Sequence, residues 1–220
     1  PTYAHAIGAV YRNADPSDVV VTAAGGLVGE VVQIWKPKEL NTFETEWGFS
    51  CMGYEISGAL GMKMAKPDQD FIVFIGDGSY LLQNSDIYSS IIYDKKLIII
   101  VCDNAGHMVI NRLQLAKGGK EYLCNLKSSR APNFVEVDFA AHAASMGAET
   151  ETVKSTTELE AAFLRAKKSK KTYVISIKTH GYEWLEGTAF WESPTLEVSS
   201  TEENKKAFSE HQEGKNKQRK

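Results

Sequence analysis

Short apolar runs alternate with helix-like segments along most of the chain. The runs are rich in Val and Ile and end at Gly, Asp or Asn, which is typical of strands that are covered on both faces. Together with a more polar run at 149–153, they predict strands at 18–22, 71–75, 97–101, 149–153 and 172–178. Helical spacing and capping signals predict helices at 2–12, 27–35, 54–66, 139–146 and 155–168. This alternation predicts an α/β fold: a doubly wound, mainly parallel sheet with helices on both faces.

The pattern changes after residue 180. Residues 1–180 therefore form one predicted domain, and 181–220 form a C-terminal extension. The extension begins with aromatic residues that follow no clear period, and we expect these to pack on a neighbouring domain or subunit. From Ser199 onward it is almost wholly polar and charged, so its lysine-rich end is expected to be a solvated or partly disordered helix.

The stretch from 71 to 104 carries the most chemical information. An apolar run is followed by Gly76-Asp77-Gly78-Ser79, and the next apolar run ends at Asp103-Asn104. Because the carboxyl ends of neighbouring parallel strands meet at one edge, Asp77 and Asn104 are expected to lie side by side there. One carboxylate and one amide oxygen beside free N–H groups suit a Mg²⁺ ion that also holds a diphosphate.

Glycine-rich turns of this kind are not specific to metal sites. A Gly-Asp-Gly turn after a buried strand also occurs in many α/β proteins that bind no metal. A dinucleotide fingerprint is excluded, because its third glycine would fall at Leu81, and a P-loop lysine is missing as well. A second glycine turn, at Gly25 and Gly26, follows the first predicted strand and could equally be an ordinary strand–helix loop.

Composition and charge narrow the class of protein. The chain has 220 residues, of which 43% are hydrophobic, and a formal net charge of −3. These values fit one substantial core and give no indication of binding to nucleic acid or a membrane. The three cysteines form no C-x-x-C motif, which favours reduced thiols in a cytoplasmic protein. The chain begins at Pro1 rather than Met, so we expect it to be a piece of a longer protein.

The spacing from Gly-Asp-Gly to the Asp103-Asn104 pair resembles the diphosphate-binding half of the thiamine-diphosphate enzymes. The resemblance implies thiamine diphosphate and Mg²⁺ as cofactors, with the metal held by Asp77, Asn104 and the backbone carbonyl of Gly106. Asp103 stands where the family has Asn. The cofactor-binding residues that the resemblance implies are Gly25, Gly26, Ser50, Met52, Gly78, Ser79 and Met108.

Met52 has a specific role in this resemblance. In the family, a bulky apolar residue at this position wedges under the cofactor and holds its two rings in a V shape, which brings the reacting groups together. The wedge residue's N–H and the carbonyl two residues earlier, here that of Ser50, bond the pyrimidine ring. Without the resemblance, Met52 would be interpreted as a residue that fills a gap in the core.

A narrower resemblance is to the trihydroxycyclohexane-dione hydrolases of inositol catabolism. The segments 46–55, 23–27, 76–81 and 110–114 carry it. It implies hydrolysis of a carbon–carbon bond of 3D-(3,5/4)-trihydroxycyclohexane-1,2-dione to 5-deoxy-glucuronate. The chain would be the C-terminal domain of such an enzyme.

The resemblance also indicates what this chain lacks and leaves open. The activating glutamate is expected on an absent pyrimidine-binding domain, of the same or a neighbouring subunit, in a homodimer or homotetramer. No catalytic residue is therefore assigned within the chain. Two alternatives remain: another thiamine-diphosphate-dependent carbon–carbon lyase, such as an acetolactate-synthase-like enzyme, or a non-catalytic α/β interaction module. The roles of His107, Asn111 and Gln114 also stay open.

Overall fold

The sheet has six strands, all parallel, in the order β2-β1-β3-β4-β6-β5. This computed structural model describes residues 1–128, 133–186 and 195–218. The α/β fold predicted from the sequence, with a doubly wound parallel sheet, is confirmed. The strands are β1 (Val19–Thr22), β2 (Phe43–Thr45), β3 (Phe71–Gly76), β4 (Ile98–Asp103), β5 (Glu149–Val153) and β6 (Tyr173–Lys178).

Helices cover both faces of the sheet. The α-helices of the described residues are α1 (Tyr3–Asn13), α2 (Gly25–Ile34), α3 (Tyr54–Ala65), α4 (Asp77–Leu82), α5 (Asp86–Ile92), α6 (Met108–Ala116), α7 (Phe139–Ser145), α8 (Thr156–Lys168) and α9 (Glu202–Lys217). Alternate residues of each central strand point to opposite faces. Phe74 and its even-numbered neighbours in β3 therefore pack with α1, α2 and α8, whereas Val73 and Ile75 pack with α3, α5 and α7.

The strand order creates a crevice at the carboxyl edge of the sheet. From β1 the chain moves outward to β2, and it then returns to β3 on the other side of β1 and continues in the opposite direction. The segments that leave β1 and β3 therefore diverge, as they do at the ligand-binding switch points of open α/β sheets. Gly25 and Asp77, the first residues of the helices that follow these strands, lie beside the crevice.

Several details differ from the sequence predictions. Strand β2 was missed, because its three residues lie at the sheet edge and are only half-buried. The Gly-Asp-Gly segment that was expected to form a turn after β3 instead joins the end of β3 directly to the start of α4, which begins at Asp77 and is divided from α5 by a break at residues 83–85. At the start of α8, Ser155 caps Glu158 as predicted, but the Glu158 carboxylate accepts from the N–H of Lys154 rather than from that of Ser155.

The last described helix, α9, packs against the part of the chain that precedes β5. This helix buries Ala207 and His211. Gly118 has a left-handed φ of +76°, and a Cβ added there would lie 2.5 Å from the carbonyl oxygen of Glu203. The first turn of α9 thus packs against the loop that follows α6. Among the described residues, no helix combines the length and apolar character needed to cross a bilayer.

Candidate cofactor site

A cavity of about 870 Å³ opens at the crevice. Its walls come from the first turns of α2 and α6, the junction of β3 with α4, and the loop before α3. All seven residues predicted to bind the cofactor line this cavity, as do Asp77 and Gly106. The structure therefore brings together side chains and turns from four separated parts of the sequence. Among the predicted ligands, Asn104 does not line the cavity itself, but its side chain bonds Tyr3, which does.

Asp77 and the segment after β4 are in direct contact. The two strands pair in register, with Gly76 opposite Cys102, so the residues that follow them are neighbours. The N–H of Gly106 donates to Asp77 Oδ2 at 2.7 Å. Gly106 has little freedom to change, since a Cβ there would lie 2.2 Å from the carbonyl oxygen of Cys124. Close packing thus fixes the backbone beside the Asp77 carboxylate.

A second carboxylate, Asp103, lies beside Asp77 and is paired with a lysine. Asp103 Oδ1 accepts from the N–H of Ala105 at 2.9 Å, and Lys178 Nζ donates to Asp103 Oδ2 at 2.5 Å. Lys178 is opposite Asp103 in the β4–β6 register. The Asp that replaces the family's Asn is therefore compensated by a cation from the next strand. Of these two acids, Asp77 is the one without a cationic partner among the described residues.

The Asp77 carboxyl is in an unfavourable environment for an anion. Burial, followed by the charge of Asp103, raises the pKa of Asp77 to about 7. The N–H groups of Gly106 and Gly78 oppose this shift only in part. A divalent cation at this carboxylate would remove the mismatch, because it supplies the opposite charge in a place that water reaches poorly.

Asn104 presents the second oxygen that a metal could use. Its Nδ2 donates to the hydroxyl of Tyr3 at 2.7 Å, which leaves the amide oxygen on the other side. This oxygen, Oδ1, is buried and has no hydrogen-bond partner among the described residues. A buried polar atom without a partner is costly. The donor set of Asp77 and Asn104 therefore fits a hard cation such as Mg²⁺.

Met52 and the glycine turn after β3 lie together over this site. A Cβ added at Gly78 would be 2.6 Å from His107 Nδ1 and 3.6 Å from Met52 Cε. A side chain at position 78 would therefore displace the His107 ring, whereas it would only touch Met52. Met52 is 37% exposed, so it is not the core residue that composition alone would suggest. Its side chain instead reaches over the Gly78 turn beside the cavity.

Sequence reasoning missed the buried Glu55, which joins two walls of the cavity. Its carboxylate accepts from the N–H of Gly53 at 2.8 Å and from the N–H of Ala24 at 3.3 Å. Burial raises the pKa of Glu55, and these N–H groups oppose the shift. The signal in the sequence was a glutamate in the first turn of an apolar, glycine-rich helix, where a charge is not expected to be buried.

Glu30 is a second buried acid that the sequence did not identify. It lines the cavity from α2, and its Oε2 has no hydrogen-bond partner among the described residues. Burial raises the pKa of Glu30 to about 6, although the N–H groups of Leu185 and Ala4 and the charge of Arg112 oppose the shift. The Arg112 guanidinium itself stacks on the ring of Trp184, 4.6 Å from its centroid.

We expect Glu30→Gln to change how stability depends on pH. Because the folded-state pKa is raised, the folded state holds the proton of Glu30 more tightly, and this stabilisation is lost as the pH rises through about 6. The variant should therefore gain at most about 2 kcal/mol relative to the wild type between pH 4 and pH 7. Urea denaturation at both pH values measures the gain. The exposed Glu39→Gln is the control, and an equal gain there would contradict the prediction.

The three residues whose roles the sequence left open lie in different surroundings. His107 lines the cavity. Asn111 is buried and donates from Nδ2 to Glu121 at 2.6 Å, so its side chain is engaged with the loop after α6. Gln114 follows one turn later, and its backbone carbonyl accepts from Gly119. Of these three residues, only His107 is placed where it could meet a ligand in the cavity.

Comparisons with known proteins agree with this geometry. Residues 23–177 match the family described as "Thiamine pyrophosphate enzyme, C-terminal TPP binding domain". Over 219 residues the chain is 37% identical to 3D-(3,5/4)-trihydroxycyclohexane-1,2-dione hydrolase of Lacticaseibacillus casei, which covers 97% of this chain and 33% of that protein. The Bacillus subtilis protein of the same name is 36% identical over 200 residues, covering 88% of this chain and 30% of that protein.

A solved structure shows the same fold at lower identity. The thiamine diphosphate-dependent 4-hydroxybenzoylformate decarboxylase of Rhodococcus jostii superposes with a TM-score of 0.69 at 18% identity, covering 81% of this chain and 32% of that one. The chain thus spans about a third of the length of the proteins that it matches. It belongs to the thiamine pyrophosphate enzyme family, of which it contains the C-terminal TPP-binding domain.

Proposed function

We propose that this chain binds thiamine diphosphate through Mg²⁺ and forms the cofactor-binding part of a hydrolase that cleaves a carbon–carbon bond of 3D-(3,5/4)-trihydroxycyclohexane-1,2-dione. The metal site is supported by the buried Oδ1 of Asn104, which has no partner among the described residues, and by the register that places the end of β4 beside the end of β3, directly before Asp77. The choice of substrate is based on the names of two relatives, which are 37% and 36% identical to this chain.

Each predicted residue has a distinct task in this proposal. Asp77, Asn104 Oδ1 and the carbonyl of Gly106 hold the Mg²⁺ ion. Backbone N–H groups in the first turns of α2 and α6, which line the cavity, would hold the diphosphate, because the positive ends of these helices favour an anion. The remaining cofactor contacts come from Ser50, Met52, Gly78 and Ser79.

The cofactor supplies the chemistry that amino acid side chains lack. When bound, thiamine diphosphate serves as the electron sink for cleavage of the bond next to a carbonyl. Hydrolysis between the two carbonyl carbons of a cyclic 1,2-dione consumes one water molecule. One carbonyl carbon becomes the carboxylate and the other takes a proton as an aldehyde, which is the pair of end groups in 5-deoxy-glucuronate. This chain's own residues bind, orient and shield the cofactor during that reaction.

The surface beside the cavity indicates a partner. Phe49 is 90% exposed, Trp47 is 51% exposed and Ile110 is 46% exposed, and Trp47 and Ile110 also line the cavity. Large apolar side chains exposed together mark an interaction surface. We assign this surface to a pyrimidine-binding domain that carries the activating glutamate, in the same or a neighbouring subunit of a homodimer or homotetramer. By itself, this chain should bind the cofactor weakly and show no turnover.

Calorimetry tests the cofactor site directly. The chain is titrated with thiamine diphosphate in Mg²⁺ and again in EDTA. We expect binding only when Mg²⁺ is present, because the metal joins the diphosphate to the protein carboxylate. Thiamine monophosphate is the matched control, since it lacks the second phosphate. Equal binding of the two ligands, or binding that EDTA does not change, would contradict the proposal and favour a non-catalytic α/β module.

The substrate requires the complete enzyme. The full-length protein is supplied with the cyclic dione, and the appearance of the open-chain acid is followed by mass spectrometry. Product formation that depends on thiamine diphosphate supports the hydrolase. Turnover of pyruvate to acetolactate instead, with the dione unchanged, would favour the acetolactate-synthase-like alternative.

A further inference from the structure

We infer that Tyr3 is a positioning residue for the metal site, and that its hydroxyl holds the Asn104 amide so that the amide oxygen faces the cation. This inference rests on the proposed function, since it concerns the same metal. Tyr3 is the first residue of α1 and is 101 positions away from Asn104 in the sequence.

The geometry separates the two ends of the Asn104 amide. Nδ2 donates to the Tyr3 hydroxyl at 2.7 Å, whereas Oδ1 is buried without a partner among the described residues. A cation attracts the amide oxygen and repels the amide hydrogens, so a metal-bound Asn104 needs an acceptor for Nδ2 on its far side. The Tyr3 hydroxyl is that acceptor.

The backbone around Asn104 makes this support necessary. Ala105, the next residue, has a left-handed φ of 62°, and the N–H of Ala105 is already bonded to Asp103. The chain therefore leaves β4 in an unusual conformation that fixes the Asn104 backbone but not the rotation of its amide. The hydrogen bond to Tyr3 supplies the missing restraint, and it also polarises the amide so that Oδ1 becomes a better ligand.

Tyr3 is held firmly enough to act in this way. Its ring packs against the core formed by α1, α2 and α8, and it lines the cavity. Burial, followed by neighbouring acidic groups that include Asp77 and Glu30, raises the pKa of the Tyr3 hydroxyl. The phenol thus stays neutral at physiological pH. Phenylalanine would retain the packed ring and remove only the hydroxyl.

Metal affinity tests the role of the hydroxyl. Mn²⁺, which replaces Mg²⁺ and has an electron paramagnetic resonance signal, is titrated into the chain at saturating thiamine diphosphate. Loss of an outer hydrogen-bond partner of a metal ligand weakens metal binding about 10–100-fold, and we expect Tyr3→Phe to fall in that range. Tyr11→Phe is the matched control on the same helix, because the Tyr11 hydroxyl bonds the carbonyl of Lys36, away from the site. It should leave the Mn²⁺ affinity unchanged.

The Tyr3→Phe substitution, made in an Asn104→Asp variant, tests whether the Tyr3 hydroxyl orients the amide or only contributes to packing. An aspartate at position 104 presents an oxygen whichever way its carboxylate is turned, so it does not need Tyr3 to orient it. In Asn104→Asp, the further change Tyr3→Phe should therefore alter the Mn²⁺ affinity less than about threefold. An equal loss in both backgrounds would show that the hydroxyl acts through packing, and would overturn the inference.

The remaining outcomes separate the inference from the proposed function. If the wild type binds Mn²⁺ and Tyr3→Phe binds it equally well, the positioning role is wrong and the metal site stands. If the wild type shows no Mn²⁺ binding with thiamine diphosphate, the metal site is wrong, and the role of Tyr3 is overturned with it.

Discussion

Asp77→Asn is expected to abolish Mg²⁺-dependent binding of thiamine diphosphate and, at the same time, to stabilise the metal-free chain. The loss follows because Asp77 supplies the negative charge at the proposed metal site, and a hard cation depends on that charge. Affinity should fall by at least about 100-fold, since a direct ligand matters no less than its supporting hydrogen bonds. The calorimetric titration with and without EDTA measures this change.

The stabilisation has the same physical origin. In the metal-free chain, the Asp77 carboxyl is buried next to Asp103, and both effects disfavour its negative charge. Asparagine keeps one oxygen for the N–H of Gly106 and removes the charge. A gain on the order of 1 kcal/mol in the free energy of unfolding is expected at neutral pH, as is common where a binding site is relieved of strain. Urea denaturation in EDTA measures it.

The control for Asp77→Asn lies one helix further along the chain. Asp86→Asn changes the same residue type in the first turn of α5, where the carboxylate accepts from the hydroxyl of Ser89. This variant should bind the cofactor as the wild type does. Retained Mg²⁺-dependent binding in Asp77→Asn would show that the metal is held elsewhere, and lower stability would show that the carboxylate supports the fold.

The largest effect on stability is expected from Phe74→Ala. Phe74 is in β3, in the middle of the sheet, and is fully buried. Its ring packs edge-on against Trp35, with 6.1 Å between centroids. Removing the ring leaves a cavity that the surrounding helices cannot fill, which typically costs about 3–5 kcal/mol. Urea denaturation followed by circular dichroism should show a midpoint at a correspondingly lower concentration.

Phe49→Ala is the matched control for this prediction. Phe49 is 90% exposed, so the same truncation should change the free energy of unfolding by no more than about 0.5 kcal/mol. If Phe49 belongs to the proposed domain interface, the variant should instead weaken assembly of the full-length protein, which analytical ultracentrifugation measures. A large loss of stability in Phe49→Ala would mean that its side chain packs within this domain.

The central features of the fold were predictable because they depend on local patterns. The runs that became β3 and β4 are continuous apolar segments, and their pairing sets Gly76 opposite Cys102, so that Asp77 and the Asp103-Asn104 pair follow at the same edge of the sheet. Asp77 and Asn104 could therefore be proposed as metal ligands from spacing and strand direction, whereas Gly106 followed only from the family resemblance. Strand β2 could not, because three half-buried residues at a sheet edge leave no periodic signal.

The supporting residues of the site were not predictable for a different reason. The hydrogen bond from the Asn104 side chain to Tyr3 joins positions 101 apart, and that from Ala24 to Glu55 joins positions 31 apart. No spacing rule connects such positions, since their meeting depends on how α1 and α3 pack on the completed sheet. The only hint of Glu55 was a glutamate in the first turn of an apolar, glycine-rich helix. A glutamate at such a position indicates that a polar partner exists, but it does not identify that partner.

The ion pair between Asp103 and Lys178 also bears on how related sequences should vary. The two residues are paired directly across β4 and β6, so a substitution of one changes the charge environment of the other. An asparagine at position 103 would have no charge to neutralise. We expect the two positions to covary: homologues that carry aspartate at 103 should retain a basic residue at 178, while those with asparagine should be free to lose it.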